Sequence, residues 1–300
     1  MTNDFRRQNL NLSNLQLSYL EWNQAGAQCL APLLFLHGLA DNALVWSSLA
    51  DYLAGKYHIV APDLRGHGDS SKPETGYTFK DYITDLESLI NHLGWSSAHV
   101  IGHSWSAKLL TIWATQNPQF FCSLILVDPF FINKIPAWFK ITFPILYRVL
   151  PFLQGMGPFP TYEAAENCAR RLKQYQGWTP LQQQVFQAGM EQKPDGNWAS
   201  KFTIQARNQV FEEVMKVSGL TEILTIPTLF IKPKKGLNRT EWQLQPYRNY
   251  IKNLQIEEVP GNHWAFLVEP EAFNQTVASF LDCYETPNHR FPQDTESLSP

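Results

Sequence analysis

Charge is scarce in this chain: Asp, Glu, Lys and Arg make up 17% of its 300 residues, against roughly a quarter in typical domains. The 24 basic and 27 acidic side chains nearly cancel, leaving a formal charge of -3. No basic footprint for nucleic acid or for a strongly anionic membrane is present, which leaves small apolar or neutral molecules as the expected partners. Cysteine is scarcer still. Cys29, Cys122, Cys168 and Cys283 show no CxxC spacing and fall in unrelated segments, which suggests neither a zinc site nor a redox pair and suits free thiols in a reducing cytoplasm. No metal or other cofactor is expected. No uninterrupted apolar run reaches the roughly 18 residues of a membrane span, and the opening MTNDFRRQNLNLSNLQ has no apolar signal region. What is present is a hydrophobic fraction of 44% with 13% aromatics, ample for a sizeable core and incompatible with disorder or coiled coil.

Short apolar runs bounded by turn residues recur along the first half: PLLFLHG (32–38), HIVAPDLRG (58–66), AHVIGHS (98–104) and SLILVDP (123–129). Each has the length of a buried strand. Between them, Leu44, Val45, Leu49 and Leu53, and then Tyr82, Ile83, Leu86, Leu89, Ile90 and Leu93, recur at helical spacing. Alternation of this kind builds a mostly parallel sheet flanked by helices. After Pro129 the alternation stops for about ninety residues, with amphipathic pieces such as AAENCARRLKQY and QARNQVFEEVMKV, and this stretch is read as a helical insertion. The strand pattern resumes at TIPTLFIKP (225–233) and NLQIEEVPG (253–261), and EAFNQTVASFLDCY (271–284) closes it as an amphipathic helix. The expected organisation is a split core, 1–129 and 223–285, an inserted helical cap, 130–222, and a polar tail, 286–300.

The third strand-to-helix junction reads Gly102-His103-Ser104-Trp105-Ser106, which places Ser104 on a sharp turn as a nucleophile elbow does, with Ser106 where a glycine is usual. An ordinary turn is the plain alternative. A serine is a poor nucleophile until a base takes its proton, and His263, just after the last strand in Pro260-Gly261-Asn262-His263-Trp264, is the candidate base. The other histidines fit less well. His289 lies in the tail, His92 and His99 sit beside predicted surface turns, His58 opens a strand, and His37, His67 and His103 occupy glycine-flanked strand ends where structural hydrogen bonding is expected. Leu36-His37-Gly38-Leu39 ends the first core strand, and the N–H groups of Leu39 and Trp105 are the candidate oxyanion donors. Asp63, Arg65, His67 and Asp69 in DLRGHGDS read as a loop bracing the site.

Taken together, LLFLHGLADNALVW, APDLRGHGDSSKP, VIGHSWSA, IPTLFIK and VPGNHWAFLVEPEAF resemble, in order, the successive signatures of the α/β-hydrolase family, over roughly residues 15 to 284. The resemblance implies an eight-stranded sheet, a Ser-His-acid triad and a helical cap inserted after the sixth strand. Serine at position 104 departs from the haloalkane dehalogenase and epoxide hydrolase branches, whose nucleophile is a carboxylate. The acid is also displaced. Most relatives carry Gly-x-x-Asp after the strand matching PTLFI, but this chain runs Lys232-Pro233-Lys234-Lys235-Gly236-Leu237-Asn238. Asp128, ending the preceding strand, is the best substitute, since some relatives place their acid there; Glu241 and Asn238 come next, and a Ser-His dyad last.

Residues 130–160 hold eight aromatics, five prolines, three cations and no acid. As a cap this segment implies an apolar acyl or isoprenoid pocket with Trp138, Phe139, Phe143 and Trp264 in its wall. Membrane docking through Trp138, Phe139 and Phe143 is a rival reading, and a cap helix packed on the core is the plain one. The function expected is a carboxylic ester hydrolase acting through an acyl-enzyme on a small to medium apolar ester. An acyltransferase using the same residues, or a non-catalytic binder of an apolar ligand or partner protein, are the alternatives.

Overall fold

A computed structural model describes residues 5–22, 30–134, 136, 141–142 and 155–285. Strands β1 (Arg6–Asn11), β2 (Gln16–Trp22), β3 (Leu33–Leu36), β4 (Ile59–Pro62), β5 (Ala98–His103) and β6 (Phe121–Val127) precede the insertion. Strands β7 (Met190–Gln192) and β8 (Trp198–Ser200) lie within it, and β9 (Thr228–Lys235) and β10 (Leu254–Asn262) follow. Eight of them form one sheet in the order β1-β2-β4-β3-β5-β6-β9-β10, while β7 and β8 make a separate hairpin. Only β2 runs antiparallel to its neighbours in the large sheet; every other pair is parallel.

The central strands are continuous apolar runs because both faces are covered, as parallel sheets require. Alternate side chains feed two cores, since successive residues of a strand point to opposite faces. Leu34, Leu36, Val100, Leu124 and Leu126 join α2 (Phe79–Leu93) and α3 (Trp105–Gln116) on one face. Leu33, Phe35, Ile101, Ile125 and Val127 join α1 (Ser47–Leu53) on the other. Helix α2 starts where Thr78 and Asp81 form a reciprocal capping box and stops at Gly94, whose φ of 69° is left-handed.

Between β6 and β9 the chain forms α4 (Tyr162–Ala169), α5 (Pro180–Ala188), the β7-β8 hairpin and α6 (Ile204–Lys216). The hairpin corrects the expectation of an all-helical insertion: it turns at Asp195-Gly196, with Gly196 at φ 85°, a dipeptide favoured in two-strand turns. After β9, α7 (Glu241–Tyr250) adds Leu244 and Tyr247 to the first face, and α8 (Ala265–Val268) and α9 (Pro270–Glu285) after β10 complete the second. A second correction concerns His99, which is no surface-turn residue: it is buried within β5, and its Nδ1 meets Ser123 Oγ at 2.7 Å. Among the described residues no helix is long and apolar enough to cross a membrane.

Candidate active site

Strand β5 ends at His103 and α3 begins at Trp105, so the single residue between them must reverse the chain. Ser104 does this at φ 60°, ψ −118°, a conformation that costs a non-glycine residue strain and is tolerated where the surroundings enforce it. A side chain at Gly102 would lie 2.8 Å from Leu110 Cδ1 and 2.9 Å from the Ser106 carbonyl, which is why the strand can pack this close to its helix. Ser106 fits for a different reason. Its Oγ accepts from the His103 N–H at 3.1 Å and lies 3.0 Å from the Leu36 carbonyl and 2.9 Å from that of His103. The extra hydroxymethyl group therefore ties the end of β3 to the elbow.

At the ends of β10 and β6, His263 and Asp128 come together. His263 Nδ1 donates to Asp128 Oδ2 at 2.6 Å. The carboxylate is fully buried and accepts three further bonds: Leu237 N–H on Oδ2 at 2.8 Å, and Asn238 N–H and Nδ2 on Oδ1 at 3.1 and 2.8 Å. Burial alone would push the Asp128 carboxyl up. The hydrogen bond and charge of His263, then the Leu237 and Asn238 donors, outweigh burial and hold it below the usual carboxylate range. Gly236 is required by this packing, since a Cβ there would sit 2.6 Å from Asp128 Oδ2. Asn238 thus clamps the acid. Glu241 lies elsewhere, 78% exposed and paired with Arg248 at 3.4 Å.

Ser104 and His263 line one cavity of about 290 Å³. No hydrogen bond joins Ser104 Oγ to His263 among the described residues, as is common before substrate tightens such a site. Leu39 and Trp105 line the same cavity. Neither amide has an acceptor among the described residues, and that of Trp105 opens helix α3, where unspent N–H groups favour negative charge. The neighbouring Ala40 sits at φ 63° and Asp128 at φ 41°, so non-glycine strain gathers around this end of the sheet.

Of the predicted pocket residues, Trp264 lines the cavity, its indole Nε1 held by Asp41 Oδ2 at 3.2 Å. Trp138, Phe139 and Phe143 lie outside the described residues. The apolar wall that is described comes from Phe130 and from Val210, Phe211 and Val214 of α6. Lys173, Lys235 and Arg239 line it too, and sequence reasoning missed all three. Lys173 lies 62 or more positions from the other two, so no local pattern collects it with them.

Around this centre the remaining polar residues brace. The His103 Nε2 donates to the His263 carbonyl at 2.9 Å, and its ring lies 4.4 Å from that of His263. Burial, then the neighbouring His263, push His103 down, against the pull of Asp41, so a neutral imidazole positions the His263 backbone. Asp63 accepts from Ala43 N–H at 2.8 Å and Asp69 N–H at 3.0 Å, and Arg65 pairs with both oxygens of Asp85 at 2.6 Å. His67 stacks on Phe202 of the insertion at 4.3 Å. Lys108 in α3 reaches into the insertion, its Nζ donating to the carbonyls of Phe131 at 2.7 Å and Val214 at 2.5 Å. Burial pushes this ammonium down to about 7, against the pull of Glu213. Among the described residues no disulfide joins the cysteines. Among the described residues no group of three His, Cys, Asp or Glu could hold a metal ion.

Comparison with known proteins places these features in a family. A family model described as alpha/beta hydrolase fold matches residues 31–270. A soluble epoxide hydrolase of Corynebacterium sp. (strain C12) is 36% identical over 116 residues, 38% of this chain and 39% of that protein. A haloalkane dehalogenase of Bradyrhizobium diazoefficiens is 31% identical over 121 residues, 40% of this chain and 38% of that one. The chain thus matches about two fifths of the length of these two relatives. A 2-(acetamidomethylene)succinate hydrolase of Mesorhizobium japonicum is 27% identical over 265 residues, covering 83% of this chain and 87% of that one. The crystal structure of an E-2-(acetamidomethylene)succinate hydrolase superposes with a TM-score of 0.74 at 24% identity, covering 93% of this chain and 99% of the other. A marine microorganism esterase superposes at 0.71 with 22% identity, over 89% and 100%. At these identities the superpositions show the shared fold.

Proposed function

Because the chain belongs to the family with the alpha/beta hydrolase fold, we propose that it is a serine hydrolase in which Ser104 attacks an ester carbonyl, His263 moves the proton and Asp128 orients His263. The observation that carries this reading is the 2.6 Å bond from His263 Nδ1 to a buried, four-bonded Asp128, beside a cavity that Ser104 and His263 both line.

In this mechanism the Asp128 bond fixes the imidazole tautomer with its proton on Nδ1, leaving Nε2 to accept the Ser104 proton. The developing oxyanion is met by the Leu39 and Trp105 N–H groups, donors of a kind whose single loss typically costs roughly 3 to 4 kcal/mol of barrier. The protonated imidazole then hands its proton to the leaving alcohol. Water, activated by the same Nε2, releases the acid from Ser104.

Serine also bears on which reaction of the family is meant. A carboxylate nucleophile can attack an sp³ carbon of an epoxide or haloalkane, because the resulting ester is hydrolysable. A serine attacking the same carbon would give an ether that water and a histidine do not cleave. An acyl carbon is therefore the substrate that lets Ser104 turn over. The likeness to a 2-(acetamidomethylene)succinate hydrolase and to an esterase supports the hydrolytic reading.

The test is hydrolysis of p-nitrophenyl butyrate and hexanoate by the wild type, Ser104→Ala and His263→Gln. The wild type turns the esters over, and each variant loses turnover by roughly 10³-fold or more. Full activity in Ser104→Ala would sink the assignment.

A further inference from the structure

The cavity at Ser104 is apolar in its body and cationic at one side. Lys173, Lys235 and Arg239 line it, and among the described residues no carboxylate does. This is a local feature, since the whole chain carries a net charge of -3. The acids nearby in sequence are engaged elsewhere: Glu258 with Lys232 at 2.9 Å and Glu241 with Arg248 at 3.4 Å. Arg239 is held in place by neutral acceptors, its Nε donating to the Gly236 carbonyl at 2.7 Å and Nη2 to that of Lys235 at 3.4 Å. Its charge is positioned without being compensated. No salt bridge engages Lys173, Lys235 or Arg239 among the described residues. Beside Lys173, Gln174 is buried and lines the same cavity, and its Oε1 has no partner among the described residues. A buried acceptor of this kind is normally satisfied, and a hydrogen-bond donor of a bound molecule would satisfy it.

Lys235 ends β9 and Arg239 follows it on the next loop, and the run Lys234-Lys235-Gly236-Leu237-Asn238-Arg239 has no acid. With Asp128 supplying the carboxylate from β6, that loop is free to carry positive charge into the pocket. A neutral ester would gain nothing from this arrangement. An ester bearing an anion would be attracted to the cavity and held in one orientation, its apolar part against Phe130, Phe211 and Val214.

We propose that the natural substrate is an anionic ester: an apolar acyl ester carrying a carboxylate or phosphate-type group that binds at Lys173, Lys235 and Arg239. This rests on the serine hydrolase reading and narrows its substrate class.

The experiment compares kcat/KM for p-nitrophenyl hexanoate with two anionic counterparts, p-nitrophenyl hydrogen adipate and 3-carboxy-4-nitrophenyl hexanoate, which place the charge on the acyl and the leaving-group side. At least one anionic ester is expected to exceed the neutral one by roughly tenfold at low salt, with the ratio falling between about 20 and 500 mM salt as exposed charges are screened. Arg239→Gln and Lys235→Gln lower that ratio, and Arg239→Glu inverts it. Replacing the carboxylate of the better ester by a phosphonate tells the two anions apart, the faster one naming the group.

A ratio near one, or a ratio unmoved by salt and by all three variants, overturns the proposal. Turnover of the neutral ester together with fluorophosphonate labelling of Ser104 would leave the hydrolase reading standing in that case. Absence of both turnover and labelling would remove that reading, and this proposal with it.

Discussion

Asp128 and His263, 135 positions apart in the chain, meet at 2.6 Å across the ends of β6 and β10. The loop after β9 carries no acid before Glu241, and it meets this carboxylate of the neighbouring strand with the Leu237 and Asn238 donors. If this carboxylate orients the base, Asp128→Asn reduces kcat on a p-nitrophenyl ester by roughly 10³ to 10⁴-fold. Glu241→Gln changes it less than about twofold, as expected of an exposed, solvent-screened pair. Equal small effects would refute the role of Asp128.

Gly236 gives an independent route to the same relationship. A methyl group there would sit 2.6 Å from Asp128 Oδ2, so Gly236→Ala displaces the carboxylate from the imidazole without altering either residue. Turnover is expected to fall by about 10 to 100-fold, since misplacement of about 1 Å can cost that much, with the far-ultraviolet circular dichroism unchanged. A fully active Gly236→Ala enzyme would show that the contact is dispensable.

The hydroxyl of Ser106 braces the elbow against β3. Ser106→Ala deletes a buried hydrogen bond and is expected to lower unfolding free energy by about 1 kcal/mol, measured by urea denaturation. An unchanged midpoint would mean the hydroxyl only fills space.

Lys108 should leave its mark on the pH dependence of stability. Its folded pKa of about 7 lies below the roughly 10.4 of an unfolded lysine. Between those values the unfolded chain binds the extra proton, so this residue makes stability rise with pH from about 7 to about 10. Below about 7 both states are protonated and the cost of burying the charge is present in full. Urea melts across that window should show the rise in the wild type and a flatter profile in Lys108→Met. Parallel profiles would contradict a buried, titrating lysine.

Much of this arrangement is legible in the sequence, and what is not has a physical reason. β3, β5 and β6 announce themselves because strands covered on both faces are continuous apolar runs. Ser104 and His263 stand out because tight turns at strand ends need small residues in short, recognisable spacing. β1, by contrast, is RRQNLN, a largely exposed edge strand whose pairing with β2 leaves no apolar pattern to read. Ser106 reads in sequence as a weakened motif, since nothing local reveals that Leu36, 70 positions away, accepts its proton. The clamp of Asn238 on Asp128 and the cationic wall of the cavity are likewise products of topology. The sequence directs attention to Trp138, Phe139 and Phe143, which lie outside the described residues, while the described wall of the cavity comes from α6.

The most direct measurement is intact-mass and peptide mass spectrometry after treatment with a fluorophosphonate probe. The wild type is predicted to gain a single adduct, mapped to Ser104 and lost in Ser104→Ala, and adduct formation should slow sharply in Asp128→Asn. A wild type that takes up no adduct, or one that carries it on another residue, would contradict the account.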